Sequence, residues 1–220
     1  MARLLRGKRV LVVAEGDLAA RFDGYARIVL DLGAGDAKAA LRLARQHPDT
    51  LVVAVDATPD AMVPQAVRSL KKPARGGTSN VEFLVSDAAS LPPALNGRVE
   101  HVTITLPWAS LLRAIVLADE ALLESLRRVL KSDGVLTIVL NLEPLHQRVP
   151  RELTDLPPVG ADYVRDTMAP RFARKGLPIV GARELDDEEK RSIHSAWAKR
   201  LTAARGPEFL IIESRAAPIP

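Results

Sequence analysis

Three acids stand where apolar runs stop: Asp31 after Ile28-Val29-Leu30, Asp56 after Leu51–Val55, and Asp87 just beyond Val81–Val85. After the first come Gly33-Ala34-Gly35-Asp36, with a helical pattern resuming at Ala37. An apolar β-branched run, a tight turn and a helix in immediate succession make a strand–loop–helix unit. Glycine at 33 and 35 lacks the Cβ that would hold a ligand off the backbone, and it tolerates positive φ. Asp56 follows the loop by about the twenty residues expected of an acid that hydrogen-bonds ribose hydroxyls. Asp31 is placed to orient a water or a ligand ammonium, and Asp87-Ala88 suits an adenine edge. Any one of these acids alone is equally a turn or capping residue; three at successive strand ends are a pattern.

The loop lacks the third glycine of a dinucleotide fingerprint, which disfavours a nicotinamide oxidoreductase. No Gly-Lys-Ser/Thr follows, so a P-loop is excluded. An acid before the loop in place of a phosphate nest favours a ligand with a positively charged amino acid end, and S-adenosylmethionine has one. Thr105-Leu106-Pro107-Trp108 closes a further strand without a carboxylate or amide to hold an amine proton. Such a site fits a ring nitrogen with a free in-plane lone pair better than an exocyclic amine.

Trp197 belongs to an Ile193, Trp197, Leu201 stripe of the kind that faces a core. The same stretch carries Lys199, Arg200 and Arg205, and an aromatic among cations also suits stacking on a base beside phosphates. Arg68, Lys71, Lys72 and Arg75 lie in a stretch with no acid between Asp60 and Glu82; with Gly76-Gly77 they are expected to form a flexible positive edge. Arg3, Arg6, Lys8 and Arg9 make the N-terminus basic, either as a solvated end or as a phosphate contact. Together these clusters outline an RNA footprint.

The elements that must hold these residues alternate from Arg27 onward, predicting a mostly parallel sheet covered on both faces. Seven strands are expected: 28–32, 51–55, 81–85, 99–105, 135–140, 179–183 and 209–213. Helices are expected at 37–46, from 57 to about 72, at 110–130 in two pieces, at 161–175 and at 186–204. One domain spans 1–220. It carries an N-terminal hairpin and small helix (1–24) as an appendage, an insertion after the fifth strand (143–178) and a helical insertion between the last two (184–208). The proline-rich 143–160 stretch is expected to be irregular.

At 220 residues and 47% hydrophobic, the chain can bury one sizeable core. The formal net charge is +4 and the pI about 9.6, so where the cations cluster matters more than the total. Cysteine is absent, excluding disulfides and thiolate chemistry. His47, His101, His146 and His194 have no ligand spacing, so no metal site is expected. No apolar run reaches the length of a signal peptide core or a membrane span, and a cytoplasmic protein, monomeric and without a membrane partner, is the expectation.

The stretches Asp31-Leu32-Gly33-Ala34-Gly35-Asp36, Lys71-Lys72-Pro73-Ala74-Arg75-Gly76-Gly77, Ser90-Leu91-Pro92, Leu106-Pro107-Trp108-Ala109-Ser110-Leu111-Leu112 and Ser195-Ala196-Trp197-Ala198-Lys199-Arg200-Leu201 occur in one order along nearly the whole chain. In this the sequence resembles the Kam-type aminoglycoside-resistance methyltransferases, which modify N1 of adenine 1408 in 16S ribosomal RNA. The resemblance implies a class I S-adenosylmethionine-dependent methyltransferase fold, Rossmann-like with a seven-stranded sheet. It implies a cofactor held by Asp31, Gly33, Gly35, Asp56, Asp87, Ala88, Ala89, Leu106 and Ser195, and a target adenine sandwiched by Trp108 and Trp197. Arg68, Lys71, Lys72, Arg75, Arg200 and Arg205 would correspond to the surface that docks on the 30S subunit. The chain departs from the family pattern at Pro207, where a second arginine is usual, at Ala37 and Ala109, which replace glycines, and at Ala89, which replaces an acid; a less efficient enzyme is expected. A small-molecule methyltransferase of the same fold and a non-catalytic RNA-binding homologue are the competing readings.

Overall fold

The computed structural model describes residues 1–142, 155–192 and 209–218. Its strands are β1 (Ala2–Arg6), β2 (Arg9–Val13), β3 (Arg27–Leu32), β4 (Thr50–Asp56), β5 (Val81–Val85), β6 (Val99–Thr105), β7 (Leu130–Asn141), β8 (Ile179–Glu184) and β9 (Phe209–Arg215), in one sheet of order β2-β1-β5-β4-β3-β6-β7-β9-β8. The central pairs β5-β4, β4-β3, β3-β6 and β6-β7 are parallel, while β9 runs antiparallel between β7 and β8.

Parallel strands are covered on both faces, which is why 28–30 and 51–55 read as unbroken apolar runs. Val53 and Val55 join the cluster containing Leu30, Val102 and Ile104, under α4 (Ala109–Val116) and α5 (Glu120–Val129). Their neighbours Val52 and Ala54 face the opposite cluster, with Ala40, Leu41 and Ala44 of α2 (Lys38–Gln46) and Ala66 of α3 (Val63–Ser69). Pro64 sits in the first turn of α3, where a missing N–H leaves no hydrogen bond unmade.

The seven expected strands form the larger part of the sheet, but the N-terminal hairpin is not an appendage. β1 pairs antiparallel with β5 through Leu4 and Leu84, extending the sheet to nine strands, and α1 (Glu15–Ala20) packs beside it. Leu4 and Leu5, 1% and 2% exposed, enter the two opposite core clusters. Burying each is worth about 1.5–3 kcal/mol, so the hairpin is integral to the fold.

The expected helix 161–175 is α6 (Ala161–Tyr163), a π-helical turn (Val164–Met168) and α7 (Ala169–Arg174). Pro170 cannot donate to the carbonyl four residues back, and the wider turn takes up that mismatch. Of the expected helix 186–204, the described residues contain α8 (Asp187–Ser192).

Candidate cofactor and nucleobase site

The chain winds outward from β3 to β4 and β5 on one side and from β6 to β7 on the other, so strand order reverses between β3 and β6. Ligands of open α/β sheets bind beyond the carboxyl ends of the strands at such a reversal. Here it gathers Asp31, the glycine turn and Leu106-Pro107-Trp108.

The glycine turn is strapped to the end of β4. The amides of Gly33 and Ala34 donate to the Val55 carbonyl at 2.9 and 3.0 Å, and the Gly35 amide donates to Asp56 Oδ2 at 3.0 Å. The other Asp56 oxygen accepts from the Thr58 amide and hydroxyl at 3.0 and 3.1 Å. The two glycines serve different ends. At Gly33, φ is +73° and a Cβ would come within 2.7 Å of Leu111 on α4, so its absence permits packing. At Gly35, φ is +54° and nothing lies within 4 Å of the Cβ position, so a ligand can reach the backbone there.

Asp31 lies opposite Thr103 in the β3–β6 register. Burial pushes its carboxyl up to about 6, the neighbouring Asp36 and Asp56 carboxylates add to the rise, and a hydrogen bond with Thr103 opposes it. Among the described residues, only Asp36 of these neighbours has a cation against it, Lys38 Nζ at 2.6 Å. Three carboxylates around one glycine turn repel a diphosphate and favour a cationic ligand. At the end of β5, Asp87 Oδ1 accepts from the Ala89 amide at 2.8 Å and caps the turn Ala88–Ser90, which presents Ala88 and Ala89 half-exposed.

Across the reversal, the Leu106 amide donates to the Val139 carbonyl at 2.8 Å. Leu106 (φ 54°) and Ala109 (φ 48°) both adopt the left-handed conformation, as does Ala37 (φ 51°) before α2. Non-glycine residues pay about 1–2 kcal/mol there, and such strain concentrates at functional sites. The bends enclose Pro107 and the half-buried Trp108, the N-cap residue just before α4. Leu106 packs against Val139, Leu185 and Phe209, and Phe209 pairs with Asn141. The end of β7, from which 143–154 departs, and the start of β9, where 193–208 returns, are therefore joined beside Leu106.

Ser195, Trp197, Arg200, Arg205 and Pro207 lie outside the described residues. Arg68, Lys71, Lys72 and Arg75 are exposed but sit apart from the glycine turn, on the connection that enters the amino end of β5. Their loop is compact where flexibility was expected. Pro73–Arg75 form a 3-10 turn, Gly77 N donates to Lys72 O at 3.2 Å and Thr78 N to Ser69 O at 3.0 Å. Gly77 is buried so tightly that a Cβ would overlap the Lys71 carbonyl. Two site residues went unnoticed in the sequence. Thr58 follows Asp56 at a recognisable turn spacing, whereas Thr103 depends on the pairing of β3 with β6.

A parallel sheet with this reversal, a glycine turn over its first central strand and acids at successive strand ends define a class I S-adenosylmethionine-dependent methyltransferase. Residues 3–216 match the family model NpmA, 16S rRNA (adenine(1408)-N(1))-methyltransferase. The chain is 36% identical over 203 residues to the 16S rRNA (adenine(1408)-N(1))-methyltransferase of Streptoalloteichus hindustanus, covering 92% of this chain and 93% of that one. Its fold matches that of a mutant of the enzyme of the same name from Catenulisporales acidiphilia, a tryptophan-to-alanine variant with cosubstrate SAM, at TM-score 0.91 and 32% identity over 99% and 97% of the two chains. It matches 16S rRNA methyltransferase KamB at TM-score 0.89 and 32% identity over 98% and 100%. The chain belongs to the family of 16S rRNA (adenine(1408)-N(1))-methyltransferases.

Proposed function

We propose that this protein transfers a methyl group from S-adenosylmethionine to N1 of adenine 1408 in the 16S rRNA of the 30S subunit, acting as a cytoplasmic monomer and protecting the ribosome from aminoglycosides. The observation that carries the reading is the group of carboxylates, Asp31, Asp36 and Asp56, around an open glycine turn. S-adenosylmethionine offers a cationic amino acid end to match it and supplies, when bound, an electrophilic methyl on sulfur.

In this reading Asp31 faces the ammonium, Asp56 shares its carboxylate between the Gly35 amide and the ribose hydroxyls, and Asp87-Ala88-Ala89 borders the adenine of the cofactor. Adenine N1 lies on the Watson–Crick edge, so the target nucleotide is flipped out at an unstacking cost of a few kcal/mol. Trp108, with Trp197 opposite, offsets that cost, since stacking contributes about 1–3 kcal/mol per base. N1 attacks through an in-plane lone pair that carries no proton, so no general base is required, in keeping with Thr105 and Leu106 at this strand end. Positioning carries the catalysis. The product base is cationic, which aromatic faces stabilise and polycationic aminoglycosides avoid.

The test is methyl transfer from labelled S-adenosylmethionine to isolated 30S subunits, mapped by reverse-transcription arrest. Arrest at adenine 1408 is expected; cofactor binding without incorporation into 30S would leave a methyltransferase of another substrate.

A further inference from the structure

The N-terminal hairpin carries a cationic turn whose role the cofactor site does not explain. Gly7 is buried with φ +62°, and a Cβ there would stand 3.4 Å from Leu70 Cδ1, so the turn Gly7-Lys8 leans on the end of α3. Leu70 immediately precedes Lys71 and Lys72. A second observation joins the two segments: Arg6 and Lys71 line one groove of about 430 Å3 with Arg21, Ser69, Pro73 and Thr78, where β1 and β5 part beyond their Leu4–Leu84 pair.

This edge gathers cations that have no carboxylate partner among the described residues; Arg42, Arg45 and Arg215 also have none but lie on other elements. Elsewhere Arg27, Arg98, Arg113, Arg165 and Arg183 each lie against a carboxylate. Lys8, Arg9, Arg68, Lys71, Lys72 and Arg75 are exposed, and none forms an ion pair with a carboxylate among the described residues. Glu82, at the floor of the groove, is already engaged by Arg21 at 3.3 Å. Exposed cations brought together on a rigid edge without local counterions are matched to an external polyanion.

We propose that the hairpin turn, through Lys8 and Arg9, is a second phosphate-contacting element that continues the Arg68–Arg75 loop into one docking edge for the rRNA backbone. The proposal rests on the 30S substrate assigned above. Both segments are held by sheet and helix contacts, so the edge is formed before binding and grips a folded RNA by the shape of its backbone.

The experiment measures binding of the full-length protein to 30S subunits over a series of KCl concentrations, for wild type, K8Q/R9Q and K8E/R9E, with melting temperature and S-adenosylmethionine affinity determined in parallel. K8Q/R9Q is expected to weaken binding about tenfold near 0.1 M salt and to lower the slope of log affinity against log salt by about 2, one for each lost phosphate contact. K8E/R9E is expected to weaken it further, with melting temperature and cofactor affinity unchanged in both. Wild-type affinity and slope in K8Q/R9Q, while K71Q/K72Q lowers both, would overturn the hairpin's role and leave the 30S substrate standing. Equal losses in K8Q/R9Q and K8E/R9E, accompanied by a lower melting temperature, would also overturn it by showing a structural effect. Failure of the wild type to bind or methylate 30S subunits would bring down both readings together.

Discussion

The Gly35 amide donates to the Asp56 carboxylate at 3.0 Å, binding the turn after β3 to the last residue of β4 across 21 residues of chain. The acid therefore shapes the loop as well as serving, in the proposed function, the ribose hydroxyls. Asp56→Ala removes this bond and those from Thr58, and it is expected to lower S-adenosylmethionine affinity at least about tenfold and stability by about 1–3 kcal/mol. Asp56→Asn, which keeps one carbonyl acceptor, should fall between. Titration calorimetry with thermal melts measures both; unchanged affinity in the alanine variant would remove Asp56 from the cofactor site.

Asp31 gives the site a pH dependence. Its native pKa, about 6, lies above the ordinary value of 3.8, so the folded state binds the proton more tightly than the unfolded state does. Its contribution to stability is fully present below 3.8 and is lost as pH rises through about 6, a difference on the order of 3 kcal/mol. Asp31→Asn should accordingly stabilise the cofactor-free protein at pH 8 and change it little at pH 4. If Asp31 meets the cofactor ammonium as proposed, cofactor affinity should move the other way in the wild type, falling as pH drops through 6 and the carboxylate is neutralised. Affinity independent of pH between 5 and 8 would argue against that contact.

Ala37 and Ala109 both hold left-handed backbones, φ 51° and 48°. Ala109→Gly is expected to raise stability by about 1 kcal/mol by relieving that strain. Ala37 is 0% exposed, and losing its buried methyl, worth about 0.8 kcal/mol, should cancel most of the gain there. Denaturant melts distinguish the two; equal effects would show that the backbone, not the buried methyl, decides.

Gly77→Ala tests the rigidity of the basic loop. A Cβ there meets backbone, which cannot rotate aside as a side-chain end can. A loss of about 1–3 kcal/mol is expected, as for other overpacked sites. Displacement of Lys71 and Lys72 should weaken 30S binding while cofactor affinity holds. Wild-type stability would mean that the loop yields easily.

Trp108→Ala and Trp197→Ala should each cut methylation roughly 10- to 100-fold, the equivalent of one lost stacking face, with cofactor affinity little changed. Joint loss of activity, cofactor binding and stability in the Trp197 variant would instead place that residue in the core.

The central strands were legible because apolar and β-branched residues dominate them between turn signals; 81–85 and 99–105 match to the residue despite Glu82, Glu100 and His101. The hairpin's place was not, because Arg3, Arg6, Lys8 and Arg9 make it look like a solvated end while Leu4 and Leu5 do the packing. Glycines 76 and 77 signalled freedom in the sequence and turned out to signal confinement. Asp31, the glycine turn and Asp56 could be found from type and spacing alone. That Asp56 also holds Gly35, or that Leu106 and Ala109 turn left-handed around Trp108, depends on neighbours that only the folded chain supplies. The same holds for the distance between the basic loop and the glycine turn.

Phe209 pairs with Asn141, so one cross-strand couple roots both the departure of 143–154 and the return of 193–208. Selection can therefore rewrite either stretch as an interchangeable cassette, since its ends are fixed by a ladder that the cassette does not itself build. If substrate choice lies in these stretches, folding and specificity become separately evolvable. Transplanting both stretches together from a relative should carry that relative's preference onto this sheet; an unchanged preference would place substrate choice elsewhere.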